Sequence, residues 1–121
     1  MKIENIKFKA KRLDNGKWIE GDLIHKETYV CICYLSSEIH NITRVQRVDP
    51  STVCQFTGLK DTNDVPIFEG DIIAFDGECE VVFKDGAFYA KFGKYTECIL
   101  CNLVKSGLSV TIVGNKFDKE K

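Results

Sequence analysis

The chain has 121 residues, 17 Lys and Arg against 18 Asp and Glu, a formal net charge of −1, and 44% apolar and 29% charged residues. That composition excludes a long disordered tail, a collagen-like or low-complexity protein and a strongly basic nucleic-acid coat. No apolar run approaches the roughly 20 residues of a membrane-spanning helix, and Met1-Lys2-Ile3-Glu4-Asn5 has no apolar stretch behind its charge, so the expected location is cytoplasmic.

Val and Ile supply 22 residues and aromatics 13, while Ala supplies four. β-Branched and aromatic side chains suit a pleated, half-buried surface, so strands are expected throughout. In chain order, Ile6, Phe8 and Ala10 alternate with Lys7, Lys9 and Lys11, which predicts a strand with one apolar and one basic face. Asp14-Asn15-Gly16 is a turn, and Ser36-Ser37 is another. Apolar residues at 39, 42, 45 and 48 match neither the helical nor the strand period. Asp49-Pro50-Ser51-Thr52-Val53 predicts one capped helical turn, with Asp49 as cap and Pro50 at the first helical position. A polar turn follows at Asp61-Thr62-Asn63-Asp64. Asp76-Gly77 and Asp85-Gly86 are hairpin dipeptides, which link Ile72–Phe75, Glu80–Phe83 and Ala87–Phe92 into an antiparallel meander. Thr96 to Lys105 is the one stretch with helical apolar spacing, capped by Thr96 and stopped by Gly107.

One segment is echoed within the chain. Trp18-Ile19-Glu20-Gly21-Asp22-Leu23-Ile24 aligns with Ile67-Phe68-Glu69-Gly70-Asp71-Ile72-Ile73 at an offset of 49. Each copy predicts a bent strand entry: a bulky pair packs inward, Gly supplies an unusual conformation or a close approach, and Asp bonds local amides. Both a duplicated lobe and the same solution reached twice fit this echo.

The candidate chemistry is sparse. The six cysteines, Cys31, Cys33, Cys54, Cys79, Cys98 and Cys101, include two close pairs. A zinc knuckle needs a tight turn that brings two thiolates onto one ion, and neither pair has one; packing as small hydrophobes is the expected role. A redox role for Cys98 and Cys101 lacks a basic activating neighbour. Glu20/Asp22 and Glu69/Asp71 are carboxylates two apart, on one face of an extended backbone, where a hydrolase or a hard cation could use them. Capping and solvation is the plainer reading. His25 and His40 stand alone, and a tetrahedral zinc site could draw on His25 with Cys31 and Cys33. No catalytic residue, cofactor site or metal site is assigned, so an enzyme is not expected.

Residues 1–12 carry five positive charges and one negative. Lys7, Lys9, Lys11 and Arg12 could neutralise phosphates on nucleic acid, with Phe8, Trp18 and Tyr29 as stacking partners, although the core is the preferred place for these rings. Lysines on an edge strand also block edge-to-edge aggregation, which is the preferred reading. Residues 51–121 hold eight basic against eleven acidic groups, which disfavours a nucleic-acid surface there.

Several motifs taken together resemble the YopX family, whose members are encoded mostly by bacteriophages and prophages. They are Phe8-Lys9-Ala10-Lys11, Asn15 through Ile24, Asp49 through Asp61, Ile67-Phe68-Glu69-Gly70-Asp71-Ile72-Ile73 and Val113-Gly114-Asn115. Where the family usually has Asn-Gly after the matching Asp61, this chain has Thr62-Asn63-Asp64-Val65-Pro66, so a longer or differently twisted hairpin tip is expected. The resemblance implies a β-rich fold with an SH3-type barrel, and it brings no activity, cofactor or catalytic residue. Its matching residues Gly21, Asp22, Gly58, Gly70, Asp71 and Gly114 are of the kind that set backbone geometry. The combined expectation is a mainly β chain: an N-terminal β-lobe over 1–53, an SH3-like barrel over 54–121, the two packed as one unit, and a short helix near 97–105. Its expected role is that of a phage or prophage accessory protein in the host bacterial cell. Such a protein would self-associate and contact a phage or host protein, with nucleic acid as the alternative partner and no membrane. A small metal-dependent hydrolase is the third and weakest reading.

Overall fold

The structure, a computed structural model, describes residues 2–35, 42–75 and 77–118. It is mainly β, with two antiparallel sheets and one short helix, as expected. The chain divides into two compact units, Met1–Phe56 and Thr57–Lys121. His40, the Ser36-Ser37 turn and residues 39–41 of the ambiguous apolar stretch lie outside the described residues, as does Asp76 of the first hairpin dipeptide.

In the first unit, β1 (Phe8–Lys11), β2 (Trp18–His25), β3 (Val30–Leu35) and β4 (Thr43–Val48) each pair antiparallel with the next. The turn between β1 and β2 is the expected one: Gly16 has φ +71, and its N–H donates to the Arg12 carbonyl at 2.9 Å. Asp49 caps the turn Pro50–Thr52 as predicted, Oδ1 accepting the Ser51 N–H at 3.0 Å. Thr52 then accepts the Lys11 N–H at 2.9 Å, which anchors that turn on β1. The start of β5 (Cys54–Lys60) pairs with β1 through Phe8↔Gln55 and Lys9↔Cys54. β1 is therefore flanked by β2 and β5, and the edge-strand reading of its lysines is corrected. The end of β4 also returns to β1 through the bridge Arg12↔Val48, so the strands of this unit come back on themselves. Ala10, Ile32 and Val48 form its core, with Phe8, Ile19, Leu23, Val30, Tyr34 and Val53 packed around them. The apolar face of β1 predicted by alternation is thus the core face.

In the second unit, the rest of β5 forms a hairpin with β6 (Pro66–Phe68). The remaining strands are β7 (Asp71–Ala74), β8 (Glu78–Lys84), β9 (Ala87–Phe92), β10 (Thr96–Ile99) and β11 (Thr111–Asn115). They form one antiparallel sheet in the linear order β10-β9-β8-β7-β11. Over 54–121, where a barrel is expected, the mainly β character holds, but among the described residues these strands form a sheet in linear order and no closed barrel. The meander matches the predicted strands, and Asp85 and Gly86 turn it with φ 50 and 80. Helix α1 (Leu100–Val104) falls within the predicted span, but Thr96 does not cap it. Thr96–Ile99 is instead a strand, because its pairing with Tyr89–Phe92 outweighs its helical spacing. Leu100 and Leu103 drop from α1 into a core with Ile67, Ile73, Cys79, Val81, Ala90 and Val110.

The two echoed segments do different things. Gly70 has φ +88 between β6 and β7, Ile67 and Phe68 are buried, and Asp71 accepts the Phe68 N–H at 2.8 Å, a bent strand entry as predicted. Gly21 instead lies inside β2, where the strand changes partner from β1 to β3. A Cβ there would overlap the Cys33 carbonyl oxygen. Asp22 is exposed and in mid-strand, so the bent-entry reading of the first copy is corrected: its glycine serves close approach between strands.

Candidate interaction surface

The basic face of β1 is built against aromatic rings. Opposed residues in an antiparallel pair share a face, so Lys9 and Lys11 lie beside Glu20 and Trp18 of β2. Lys9 Nζ stands 4.9 Å and Lys11 Nζ 5.4 Å from the Trp18 ring centroid, and Lys7 Nζ stands 4.7 Å from that of Phe56. Arg12 is bound by both carboxylate oxygens of Asp14, Nε to Oδ1 at 2.9 Å and Nη2 to Oδ2 at 2.7 Å. That pairing raises the Arg12 pKa and lowers that of Asp14. Three of the four predicted phosphate contacts, Lys7, Lys9 and Lys11, thus share a face, while Arg12 pairs across with the core residue Val48, and each of the four already meets a ring or a carboxylate. Tyr29 is likewise engaged, with the Arg47 guanidinium 4.5 Å above its ring.

The carboxylate pairs separate. Positive φ at Gly70 interrupts the extended backbone that would set Glu69 and Asp71 on one face. Asp71 is buried, its Oδ1 accepting from Asn115 Nδ2 at 2.9 Å and its Oδ2 from Phe68 N–H. Glu20 and Asp22 do share a face of β2, at an open cleft of about 360 Å³ that Cys33, Tyr34, Leu35 and Thr43 also line. His25 is exposed at the end of β2. Among the described residues, no three His, Cys, Asp or Glu side chains converge as metal ligands.

None of the six cysteines is in a disulfide, Cys31, Cys54 and Cys79 being buried and the other three half-buried. Cys54 donates to the Thr52 carbonyl at 3.3 Å and Cys79 to that of Ile73 at 3.6 Å. Burial, and secondarily the nearby Cys98, pushes the Cys79 thiol up to about 11; burial also raises Cys98. Such thiols are poor nucleophiles at neutral pH.

The sheet edges differ in a way that sequence reasoning missed. Asp61, expected only as a turn residue, is buried. Its Oδ1 accepts the Asn63 and Val65 N–H groups, each at 2.9 Å, which shapes the hairpin tip from Thr62 to Val65. Its Oδ2 accepts the Ile112 N–H at 3.1 Å, and Thr62 Oγ1 accepts the Val110 N–H at 2.8 Å. The Ile112 amide of β11 and the Val110 amide just before that strand are thereby occupied. By contrast, among the described residues β10 has a strand partner on one side only, and so do Thr43 to Gln46 of β4. Exposed apolar side chains stand at both edges: Ile42 and Val45 at β4, Tyr95 and Ile99 at β10. The signal for Asp61 was its carboxylate at the head of a polar tip; the open edges carried none, since pairing order is non-local.

Gly58 has φ +84 in β5 with open space around it, and Gly114 stands at a register shift of β11. Among the described residues no helix is long and apolar enough to cross a membrane. Residues 7–120 match the model of the family described as YopX protein. No curated protein matches the chain. Among solved structures it is similar to protein EF1440 from Enterococcus faecalis, with a TM-score of 0.56 and 21% identity over 91% of this chain and 92% of that one, a likeness of fold. With the family model spanning nearly its whole length, the chain belongs to the YopX family.

Proposed function

We propose that this protein is a non-enzymatic interaction module that self-associates through its open sheet edges. In this reading it is a phage or prophage accessory protein, acting in the cytoplasm of the host bacterial cell on a phage or host protein. The observation that carries the reading is the contrast between the β11 end of its sheet, where Asp61 and Thr62 take the Ile112 and Val110 amides, and β4 and β10, whose outer sides have no strand partner among the described residues and stand beside exposed apolar side chains. An unpaired edge is a template for strand addition, with backbone hydrogen bonds giving affinity and flanking side chains specificity. Two further facts support a role without turnover: Asp71 and Asp61 direct their oxygens at internal N–H donors, and the buried Cys79 thiol has a raised pKa. The phage setting rests on the family resemblance.

Light scattering on the purified chain across a wide concentration range tests this reading. Mass is expected to rise with concentration, and a strict monomer at every concentration overturns it. Filter binding to single-stranded DNA at low and high salt separates it from the nucleic-acid alternative. Retention lost on neutralising Lys7, Lys9, Lys11 and Arg12 would favour that alternative.

A further inference from the structure

We infer that self-association is heterologous: the β4 edge of one copy adds to the β10 edge of the next, with Arg44 set against Glu97. This rests on the self-association proposed above and names its contact. Met1–Phe56 holds nine basic and seven acidic residues, whereas Thr57–Lys121 holds eight and eleven, so the two edges sit on units of opposite charge balance. The edges repeat that difference locally. β4 presents Arg44 and Arg47, both exposed, and β10 presents Glu97.

An antiparallel β4–β10 pair in one register matches residue for residue. With Arg44 opposite Glu97, Ile42 falls opposite Ile99 on the same face. These isoleucines are 42% and 46% exposed. Gln46 then meets Tyr95, which is 89% exposed, and on the other face Val45 meets Thr96. Opposite charges and paired apolar side chains directly across a sheet are both favourable, and like charges there are unfavourable. Lys84 of β8 already pairs with Glu97 Oε1 from within the same sheet, so Arg44 would arrive as a second cation on this carboxylate. Pairing either edge with its own copy is disfavoured: β4 with β4 crowds Arg44 and Arg47 of two chains into one short ribbon, and β10 with β10 sets Glu97 against Glu97 or against Ile99. Charges on edge strands exclude some pairings in this way and leave the complementary one open. A contact between two different patches does not end at a dimer, so rings or longer chains are expected.

Arg44→Glu and Glu97→Arg, made singly, test the assignment by light scattering, with thermal melts to confirm that each variant folds. Each alone should weaken association about tenfold. An equimolar mixture of the two folded variants should restore it, because the reversed β4 of one then meets the reversed β10 of the other. If Arg44→Glu associates normally while Glu97→Arg does not, β10 pairs with itself and the assignment is overturned. It is overturned too if neither change matters, or if the mixture fails to recover, in an associating wild type; self-association then stands. A monomeric wild type removes both readings together.

Discussion

Asn115 Nδ2 donates to Asp71 Oδ1 at 2.9 Å across the β7–β11 pair, at positions that are also register partners. Asn115 Oδ1 accepts the Phe117 N–H at 2.9 Å and Asp71 Oδ2 the Phe68 N–H at 2.8 Å. One carboxylate and one amide therefore tie the β6–β7 corner to the far end of the unit. Asp71→Ala leaves a buried Phe68 N–H and the Asn115 amide without these acceptors. A loss of about 3 kcal/mol is expected in urea unfolding. A midpoint unchanged from wild type would show that the network adds nothing.

Gly21 and Gly114 both belong to the motifs, yet only Gly21 faces a crowded neighbour. Gly21→Ala must push β3 away from β2, at a cost of about 2 kcal/mol or more. Gly114→Ala meets nothing within 4 Å and should stay near wild type. Thermal melts of the two variants side by side decide this, and equal effects would contradict the close-approach role.

The β8–β9 turn needs positive φ at both Asp85 and Gly86. Gly86→Ala should lower stability by about 1 kcal/mol, since a side chain disfavours that conformation. Asp85→Asn, equally tolerant of it, should change little. Denaturant midpoints that rank the two the other way would refute this assignment of the turn.

Cys79 ties stability to alkaline pH. Its thiol is raised to about 11 in the folded chain, from an ordinary value of 9.0. Between those values the unfolded chain has released the proton and the folded chain has kept it. Stability is therefore full below about pH 9 and falls as pH rises towards 11, on the order of 2 kcal/mol in all. Cys79→Ala should flatten this slope in unfolding curves measured at pH 8 to about 10.5. An unchanged slope would assign the alkaline loss to other groups.

Features governed by a few adjacent residues were legible in the sequence. The Asp85-Gly86 turn, the Asp49-Pro50 cap and the two faces of β1 all rest on backbone preferences or alternation within one short segment. Helical spacing over 96–105 misled for the same reason: Thr96–Ile99 obeys β9, a constraint that the segment's own residues do not carry.

By itself, then, the sequence determined the β character, the hairpins, the capped turn and the family, because each is written in local conformational preference or in motif. Tertiary structure decided that β1 is flanked on both sides, that Gly21 serves close approach while Gly70 serves a bend, and that Asp61 reaches Ile112. These depend on contacts between residues far apart in the chain, and a pairing partner is specified by the folded whole.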